Sequence, residues 1–94
     1  MEGMSSVSLT LIGKPGCHLC DDAREAIQSV VTSAAIAGTG VEVSIEERNI
    51  LEDAELHAKH VEEIPVVLVD GKMHTYWRVD ADRLTTAILK ASAA

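Results

Sequence analysis

The sequence predicts a single domain of the α/β class, in which three helices cover a four-stranded mixed sheet and the chain order is β-α-β-α-β-β-α. The 94 residues are too few for a second hydrophobic core. Strand-like and helix-like patterns alternate along the chain, and Asp70-Gly71 is typical of a two-residue hairpin turn. A right-handed crossover makes the first two strands parallel neighbours, and the hairpin makes the last two antiparallel.

The first half of the chain is predicted to contain a strand, a helix and a second strand. Residues 7–12 are a short apolar run, which is typical of a buried strand. We expect residues 1–6, before it, to form a flexible N-terminus. An amphipathic helix follows and ends near Gly38 and Gly40; its apolar positions are Leu19, Ala23, Ala26, Ile27, Val30, Val31, Ala34 and Ala35. The second strand alternates apolar and polar side chains through Val41, Glu42, Val43, Ser44, Ile45 and Glu46.

The second half adds a short helix, a hairpin and a last helix. The short helix is predicted at residues 52–61, because apolar residues recur with helical spacing at Leu51, Ala54, Ala58 and Val61. Pro65 precedes the wholly apolar strand Val66–Val69, and the hairpin turn connects it to a strand at residues 72–77. Asp80 is placed to cap the last helix, whose apolar face is expected to contain Leu84, Ala87, Ile88 and Ala91.

Composition and charge narrow the classes of function. Hydrophobic residues make up 47% of the chain and charged residues 24%, as in a folded soluble protein rather than a disordered one. The formal charge of -7 argues against nucleic acid or an anionic membrane as a partner, because both attract basic surfaces. The first residues match neither a signal peptide nor a membrane-spanning helix. We expect a cytoplasmic protein, and we expect it to be a monomer.

The motif that carries chemistry is Cys17-His18-Leu19-Cys20, between the first predicted strand and the first predicted helix. In a reducing cytosol, two cysteines at this spacing are more often catalytic or metal-binding than structural. The free backbone N–H groups and the positive dipole end at a helix N-terminus stabilise a thiolate and lower its pKa. We expect Cys17 to be the accessible, attacking thiol and Cys20 to resolve the mixed disulfide that results.

Charged residues near the motif act in opposite directions on the Cys17 pKa. Lys14 and a protonated His18 would lower it, whereas Asp21 and Asp22 would raise it. Whether these charges together raise or lower the Cys17 pKa stays open at this point. The position at the helix start by itself predicts a Cys17 pKa below that of a free thiol.

Three landmarks in this order resemble the glutaredoxins. They are Lys14-Pro15-Gly16-Cys17-x-x-Cys20 between a strand and a helix, Ile64-Pro65 before a valine-rich strand, and the Asp70-Gly71 hairpin. The Cys-x-Leu-Cys motif is most similar to a glutaredoxin-like subgroup, and the resemblance runs from residue 7 to about residue 89. It implies a thioredoxin-like fold. It also implies thiol-disulfide exchange with no bound cofactor, which takes electrons from glutathione or a thioredoxin-type system.

The resemblance also implies roles for residues beyond the cysteines. Pro65 matches the cis-proline that lies against the active-site disulfide of thioredoxin-like proteins, and Ile64 matches the residue whose backbone pairs with an extended substrate. Lys14 matches a lysine that helps to hold a glutathione carboxylate, and Leu19 replaces the usual aromatic residue between the cysteines. Lys14, His18, Leu19, Ile64 and Pro65 are therefore the expected substrate-binding residues.

One segment departs from the glutaredoxin pattern. The Gly-Gly-x-Asp stretch that binds glutathione is replaced by Thr75-Tyr76-Trp77-Arg78-Val79-Asp80. Paired glycines let a backbone approach a ligand closely, and bulky residues at this place do not. The expected partner is a disulfide-containing protein or a glutathione mixed disulfide, and this departure favours the protein disulfide.

Other interpretations of the cysteines stay open beside this one. The two cysteines would also suit half of a structural zinc or iron-sulfur site, an iron-sulfur dimer that uses Cys17, or a non-catalytic binding module with inert thiols. A structural zinc needs about four ligands. Cys17 and Cys20 would supply two, and only histidines remain to supply the other two. We therefore expect no metal site within one chain.

Three further groups of residues have simple expected roles. His57 and His60 are three positions apart on the short helix and are expected to be solvated rather than to share a metal. The Glu62-Glu63 pair is expected to be solvated surface. Tyr76, Trp77 and Arg78 are expected either to cover a sheet edge or to contact a partner.

Overall fold

The computed structural model describes residues 6–93, and these contain four strands and four α-helices. The strands are β1 (Ser6–Gly13), β2 (Glu42–Asn49), β3 (Val66–Val69) and β4 (Lys72–Tyr76). The helices are α1 (His18–Thr32), α2 (Ala34–Ala37), α3 (Ala54–His60) and α4 (Ala81–Ala93), and a 3-10 helix spans Ile50–Glu52. The expected flexible N-terminus lies outside the described residues except for Ser6, with which β1 begins.

The strands form one mixed sheet in the order β2-β1-β3-β4. Strands β1 and β2 are parallel, whereas β1 with β3 and β3 with β4 are antiparallel. The predicted parallel first pair and antiparallel hairpin are therefore confirmed. Asp70 and Gly71 form the hairpin turn with φ values of 51° and 82°, a left-handed backbone that these two residue types adopt more readily than most.

Helices cover both faces of the sheet because successive side chains of β1 point in opposite directions. One face packs against α1, α2 and α4, and its core residues are Val7, Leu9, Leu11, Ala23, Ile27, Val30, Ile36, Val67, Leu84 and Ile88. The other face carries a smaller cluster of Ile12, Ile50 and Val66, with Leu56, Ile64 and Leu68 packed against it. Burial of each such aliphatic side chain contributes about 1.5–3 kcal/mol. Strands β1 and β3 each supply side chains to both clusters.

The first helix is shorter than predicted because the chain leaves the helical conformation at Ser33. This residue is extended, with φ -69° and ψ 156°, and its hydroxyl donates to the Val30 carbonyl at 2.6 Å. The Thr32 hydroxyl likewise donates to the Gln28 carbonyl at 2.8 Å. Hydroxyl side chains that bond to the backbone in this way compete with helix continuation, and the residues after Ser33 form the separate short helix α2.

The face predicted for the short helix at residues 52–61 is wrong. Asp53 caps α3 by accepting hydrogen bonds from the backbone N–H groups of Glu55 and Leu56, so the helix begins at Ala54. Its inward side chains are Leu56 and His60, one turn apart, while four residues of the predicted apolar face are exposed: Leu51, Ala54, Ala58 and Val61. The cap sets where the helix begins, and the packing of Leu56 against the smaller core cluster sets which face is turned inward.

The last helix begins as predicted. The Asp80 carboxylate accepts a hydrogen bond from the Arg83 N–H at 3.0 Å, and Leu84 and Ile88 are fully buried.

Within residues 6–93, no helix combines the length and the apolar character that a membrane crossing requires.

Candidate active site

The cysteine motif lies between the end of β1 and the start of α1. Strand β1 ends at Gly13, a turn follows, and Cys17 is the N-cap residue of α1. Gly16 makes that turn with a φ of 76°, which glycine adopts without strain. The sulfur atoms of Cys17 and Cys20 lie at disulfide-bonding distance, and their Cα atoms are 5.2 Å apart. The local backbone therefore brings the two cysteines together without help from distant segments.

The two cysteines differ in their access to solvent. Cys17 is half-buried, as expected for a residue just before the first turn of a surface helix. Cys20 is only 1% exposed, because its side chain points from α1 toward the sheet. The structure thus contains the asymmetry between an accessible and a shielded sulfur that the sequence predicted.

The Cys17 sulfur lies where the free end of the helix donates hydrogen bonds. The backbone N–H of Cys20 donates to Cys17 Sγ at 3.1 Å, so the side chain occupies the position of a capping acceptor. Serine and aspartate oxygens serve this role in most helices. The same N–H group and the helix dipole would stabilise a negative charge on this sulfur once the disulfide is reduced.

Gly13 is a site residue that the sequence analysis treated only as the end of a strand. A Cβ built at Gly13 would lie 2.7 Å from the sulfur of Cys20 and 3.2 Å from its Cβ. No side chain fits there unless the cysteine moves. A glycine at the end of a buried strand often marks close approach of another segment, and this was the available signal.

The register of the sheet brings Pro65 to the cysteine end of β1. Ile12 pairs with Val66 in antiparallel register, so the residue before Val66 lies beside the end of β1 that leads into the motif. The Ile64-Pro65 peptide bond is cis, as the resemblance to glutaredoxins implies. Pro65 is fully buried, and its carbonyl accepts a hydrogen bond from the Trp77 N–H at 2.8 Å.

The other expected substrate-binding residues occupy different surroundings. Lys14 and His18 are exposed on the turn and at the first position of α1. Leu19 is one of the exposed large apolar residues, with 42% of its surface accessible to solvent. Ile64 is half-buried, and its side chain packs against the smaller core cluster rather than projecting from the surface.

A cleft of about 310 Å³ lies on the β2 side of the motif and has Cys20 in its wall. Arg24 is held there by Glu47, with two hydrogen bonds of 2.9 and 2.8 Å, and by Asp21 at 2.8 Å. The hydrogen bond from Arg24 holds the pKa of the Glu47 carboxyl below its usual value. The hydrogen bonds that Arg24 donates to Glu47 and Asp21 raise the pKa of Arg24 in turn, so this ion pair stays charged beside the shielded cysteine.

Two sequence expectations near the helix α3 need correction. His60 is 7% exposed rather than solvated, and its Nδ1 lies 3.1 Å from a carboxylate oxygen of Glu63. Glu63 is accordingly a half-buried hydrogen-bond partner and not free surface. His57 is exposed, as expected. Among residues 6–93, no group of three or more histidine, cysteine, aspartate or glutamate side chains is arranged to hold a metal ion.

Comparison with known proteins places most of the chain in one family. Residues 8–89 match the family described as Glutaredoxin-like domain (DUF836). An uncharacterized protein from Mycobacterium tuberculosis is 29% identical over 89 residues, which cover 95% of this chain and 90% of that protein.

Solved structures have the same fold. A structural genomics target protein from X. campestris is 28% identical with a TM-score of 0.68, and the match covers 88% of this chain and 97% of that one. A protein from Nitrosomonas europaea is 19% identical with a TM-score of 0.65, covering 86% and 89% of the two chains. A thioredoxin mutant from Halobacterium salinarum is 16% identical with a TM-score of 0.64, covering 92% and 74%. The fold is therefore thioredoxin-like.

Proposed function

Because this chain belongs to the glutaredoxin-like domain family (DUF836), we propose that it is a thiol-disulfide oxidoreductase that reduces protein or mixed disulfides. The observation that carries the proposal is the pairing of a half-buried Cys17 at the N-cap of α1 with a shielded Cys20 one turn later. An accessible sulfur and a shielded sulfur at bonding distance are the two groups that a dithiol mechanism needs.

In the first step, the Cys17 thiolate attacks one sulfur of the substrate disulfide. A bond forms between Cys17 and that sulfur, the substrate S–S bond breaks, and the other substrate sulfur leaves as a thiolate that takes up a proton. The N–H of Cys20, which lies 3.1 Å from Cys17 Sγ, stabilises the attacking thiolate before the reaction.

In the second step, the Cys20 thiol loses its proton and attacks Cys17. The Cys17–Cys20 bond forms, the mixed disulfide between Cys17 and the substrate breaks, and the substrate's remaining sulfur leaves as a thiolate that takes up a proton. The substrate has then gained two electrons and the protein dithiol has lost two. An external thiol or dithiol returns the protein to the reduced form, and the cycle uses no bound cofactor or metal.

The substrate-binding roles form part of the same proposal. Ile64 and Pro65 precede β3 at the cysteine end of the sheet, where an extended substrate segment is expected to pair with backbone. Lys14 and His18 are exposed positive or ionisable groups next to Cys17. Leu19 offers an apolar surface between the two cysteines.

The proposal is tested with wild type, Cys17→Ser and Cys20→Ser on two substrates, insulin and a glutathione mixed disulfide. Each assay is run once with glutathione and once with a thioredoxin-reductase system as electron donor. We expect Cys17→Ser to fall to the rate of the reductant alone. We expect Cys20→Ser to lose protein disulfide reduction and to accumulate a mixed disulfide on Cys17, seen by mass spectrometry.

The same experiment contains the result that would reject the enzyme. A Cys17→Ser variant with the wild-type rate, or a wild type no faster than the reductant alone with either donor, would leave the cysteines without a redox role. Metal analysis of the purified protein distinguishes the iron-sulfur alternative, because a loaded dimer would contain iron and absorb visible light.

A further inference from the structure

A groove of about 270 Å³ runs beside the cysteine motif on the side opposite the Arg24 cleft. The first two turns of α1 form one wall, and the turn between β4 and α4 forms the other. The groove is lined by Leu19, Asp22, Ala23, Trp77, Arg78 and Val79. Leu19 lies between Cys17 and Cys20 in the sequence, so the groove begins within the cysteine motif.

Each wall of the groove carries a large, exposed apolar side chain. Leu19 is 42% exposed and Trp77 is 53% exposed. Single exposed apolar residues are common on protein surfaces, but two that line one groove beside the cysteine motif form a local apolar site. Aromatic residues in such positions supply much of the affinity in protein interfaces.

Trp77 is held in place by the segment that precedes β3. Its backbone N–H donates to the Pro65 carbonyl at 2.8 Å, and its indole Nε1 donates to the Glu62 carbonyl at 3.1 Å. Its φ is 68°, a left-handed conformation, and the Thr75 hydroxyl donates to the Arg78 carbonyl across the same turn at 3.1 Å. The ring's polar group is thus already used, and an ordered apolar face remains to contact a ligand without further loss of side-chain freedom.

The charges on the two walls are opposite. Asp22 lies on the α1 wall and Arg78 on the other wall, and neither forms a salt bridge within residues 6–93. The chain as a whole has a formal charge of -7. A small anionic peptide such as glutathione is therefore repelled at long range, whereas a peptide segment with a basic residue toward Asp22 matches the groove.

We propose that this groove, as an extension of the proposed reductase function, binds the segment next to the disulfide of a partner protein. Leu19 and Trp77 are its specificity-determining residues, and they select a large apolar side chain adjoining the reacting cysteine. Asp22 favours a basic residue in the same segment. The chemistry is the exchange already described, with an external thiol as reductant, and the groove acts only by placing the substrate sulfur over Cys17.

The test uses three mixed disulfides that share one chromogenic leaving thiol, so that their intrinsic reactivity is matched. The first carries a Lys-Leu-Cys peptide, the second a Lys-Ser-Cys peptide, and the third glutathione. We expect wild-type kcat/KM for the leucine peptide to exceed that for the serine peptide by about tenfold, and that for glutathione by at least as much.

Two variants remove the two walls of the groove. Trp77→Gly deletes the indole with a residue that adopts a φ of 68° without strain, and Leu19→Ala shortens the other wall with a good helix former. Each is expected to bring the leucine-to-serine ratio to within about twofold of one, with the larger loss of rate on the leucine peptide. Met73→Ala is the matched control, since Met73 is 48% exposed on β4 but does not line the groove.

A third variant tests the charge. Asp22→Asn is expected to reduce the rate on the lysine-containing peptides by about threefold at low salt, and the loss should disappear at high salt. The same change should raise the glutathione rate at low salt, because it removes a carboxylate from the groove wall.

The outcomes separate the two proposals. If wild type reduces both peptides equally, or if Leu19→Ala and Trp77→Gly keep the wild-type ratio, the groove does not select apolar segments although the reductase function stands. If wild type reduces none of the three substrates above the background rate, the reductase function itself fails, and the groove proposal with it. Leu19→Ala decides the first question even if Trp77→Gly does not fold.

Discussion

Gly13 and Cys20 approach each other so closely that a methyl group on Gly13 would lie 2.7 Å from the cysteine sulfur. Gly13 is the last residue of β1, and Cys20 is in the first turn of α1. The shielding of Cys20 therefore depends on the strand as well as on the helix. Because Gly13 has no side chain, the Cys20 sulfur packs directly against the backbone of β1, and Cys20 is only 1% exposed although it lies beside Cys17.

Gly13→Ala is expected to destabilise the protein by about 1–3 kcal/mol, because overpacking a buried contact forces the strand or the helix start to move. Chemical denaturation of the oxidised protein measures the loss. Ser8→Ala, an exposed position on the same strand, is the control and should change stability by less than about 0.5 kcal/mol. Equal stabilities of Gly13→Ala and wild type would show that Cys20 has room to withdraw.

The two thiols are expected to differ in reactivity once reduced. Cys20→Ser leaves Cys17 alone, and Cys17→Ser leaves Cys20 alone, so each variant reports one sulfur. Cys17 should react with iodoacetamide at least about tenfold faster near neutral pH, since it is more exposed and caps the helix. Thiolate absorbance against pH should also give Cys17 a pKa below that of a free thiol. Faster alkylation of Cys20, or an unshifted Cys17, would contradict the assigned roles.

Much of the fold could be predicted from the sequence because local chemistry and burial agree there. Asp70-Gly71 needs a left-handed backbone, Asp80 needs free N–H groups to cap, and Val66–Val69 needs burial on both faces. The break at Ser33 and the inward face of α3 were not predicted. At Ser33 the side-chain hydroxyl bonds to the backbone and ends α1, although the apolar pattern continues beyond it. At Asp53 the side-chain carboxylate accepts a backbone N–H and starts α3 at a place that the apolar pattern does not indicate.

The cysteine pair could also be predicted, because the motif and its place before a helix are both local. What could not be predicted depends on contacts between distant segments. Trp77 lies far along the chain from Leu19, and the register of β3 with β4 and the hydrogen bonds to Glu62 and Pro65 bring it to the groove. The two-residue turn gave the hairpin, but the bulge between Val67 and Leu68 in that pairing left no signal in the sequence.

Glu47→Gln is expected to lower the free energy of unfolding by about 0.5 kcal/mol near neutral pH. The effect is small because the side chains of Arg24 and Glu47 are 38% and 47% exposed, and water screens their attraction. The Glu47 pKa is lowered in the folded protein, so its contribution is present above the usual value of 4.5 and is lost as the pH falls through the folded value. Denaturant midpoints of the variant and wild type should therefore converge in acid.

The control for Glu47→Gln is Glu46→Gln, its exposed neighbour on β2, for which no salt bridge exists within residues 6–93. This control should differ little from wild type at either pH. A difference between wild type and Glu47→Gln that persists unchanged in strong acid would mean that the carboxylate charge is not its source.

His74 is expected to make the protein less stable in mild acid. Burial and, to a smaller extent, the nearby Arg83 lower its pKa from the usual 6.5, while Asp80 opposes them. The unfolded chain thus takes up the proton first, and the free energy of unfolding falls as the pH drops below 6.5 through the folded value. Its Nε2 is buried and has no hydrogen-bond partner among the described residues, so an N–H formed there on protonation would have no acceptor. His74→Gln should flatten the decline between about pH 7.5 and pH 5 in denaturation curves, whereas His57→Gln, at an exposed histidine, should not. Parallel declines in wild type and His74→Gln would assign the acid sensitivity to other groups.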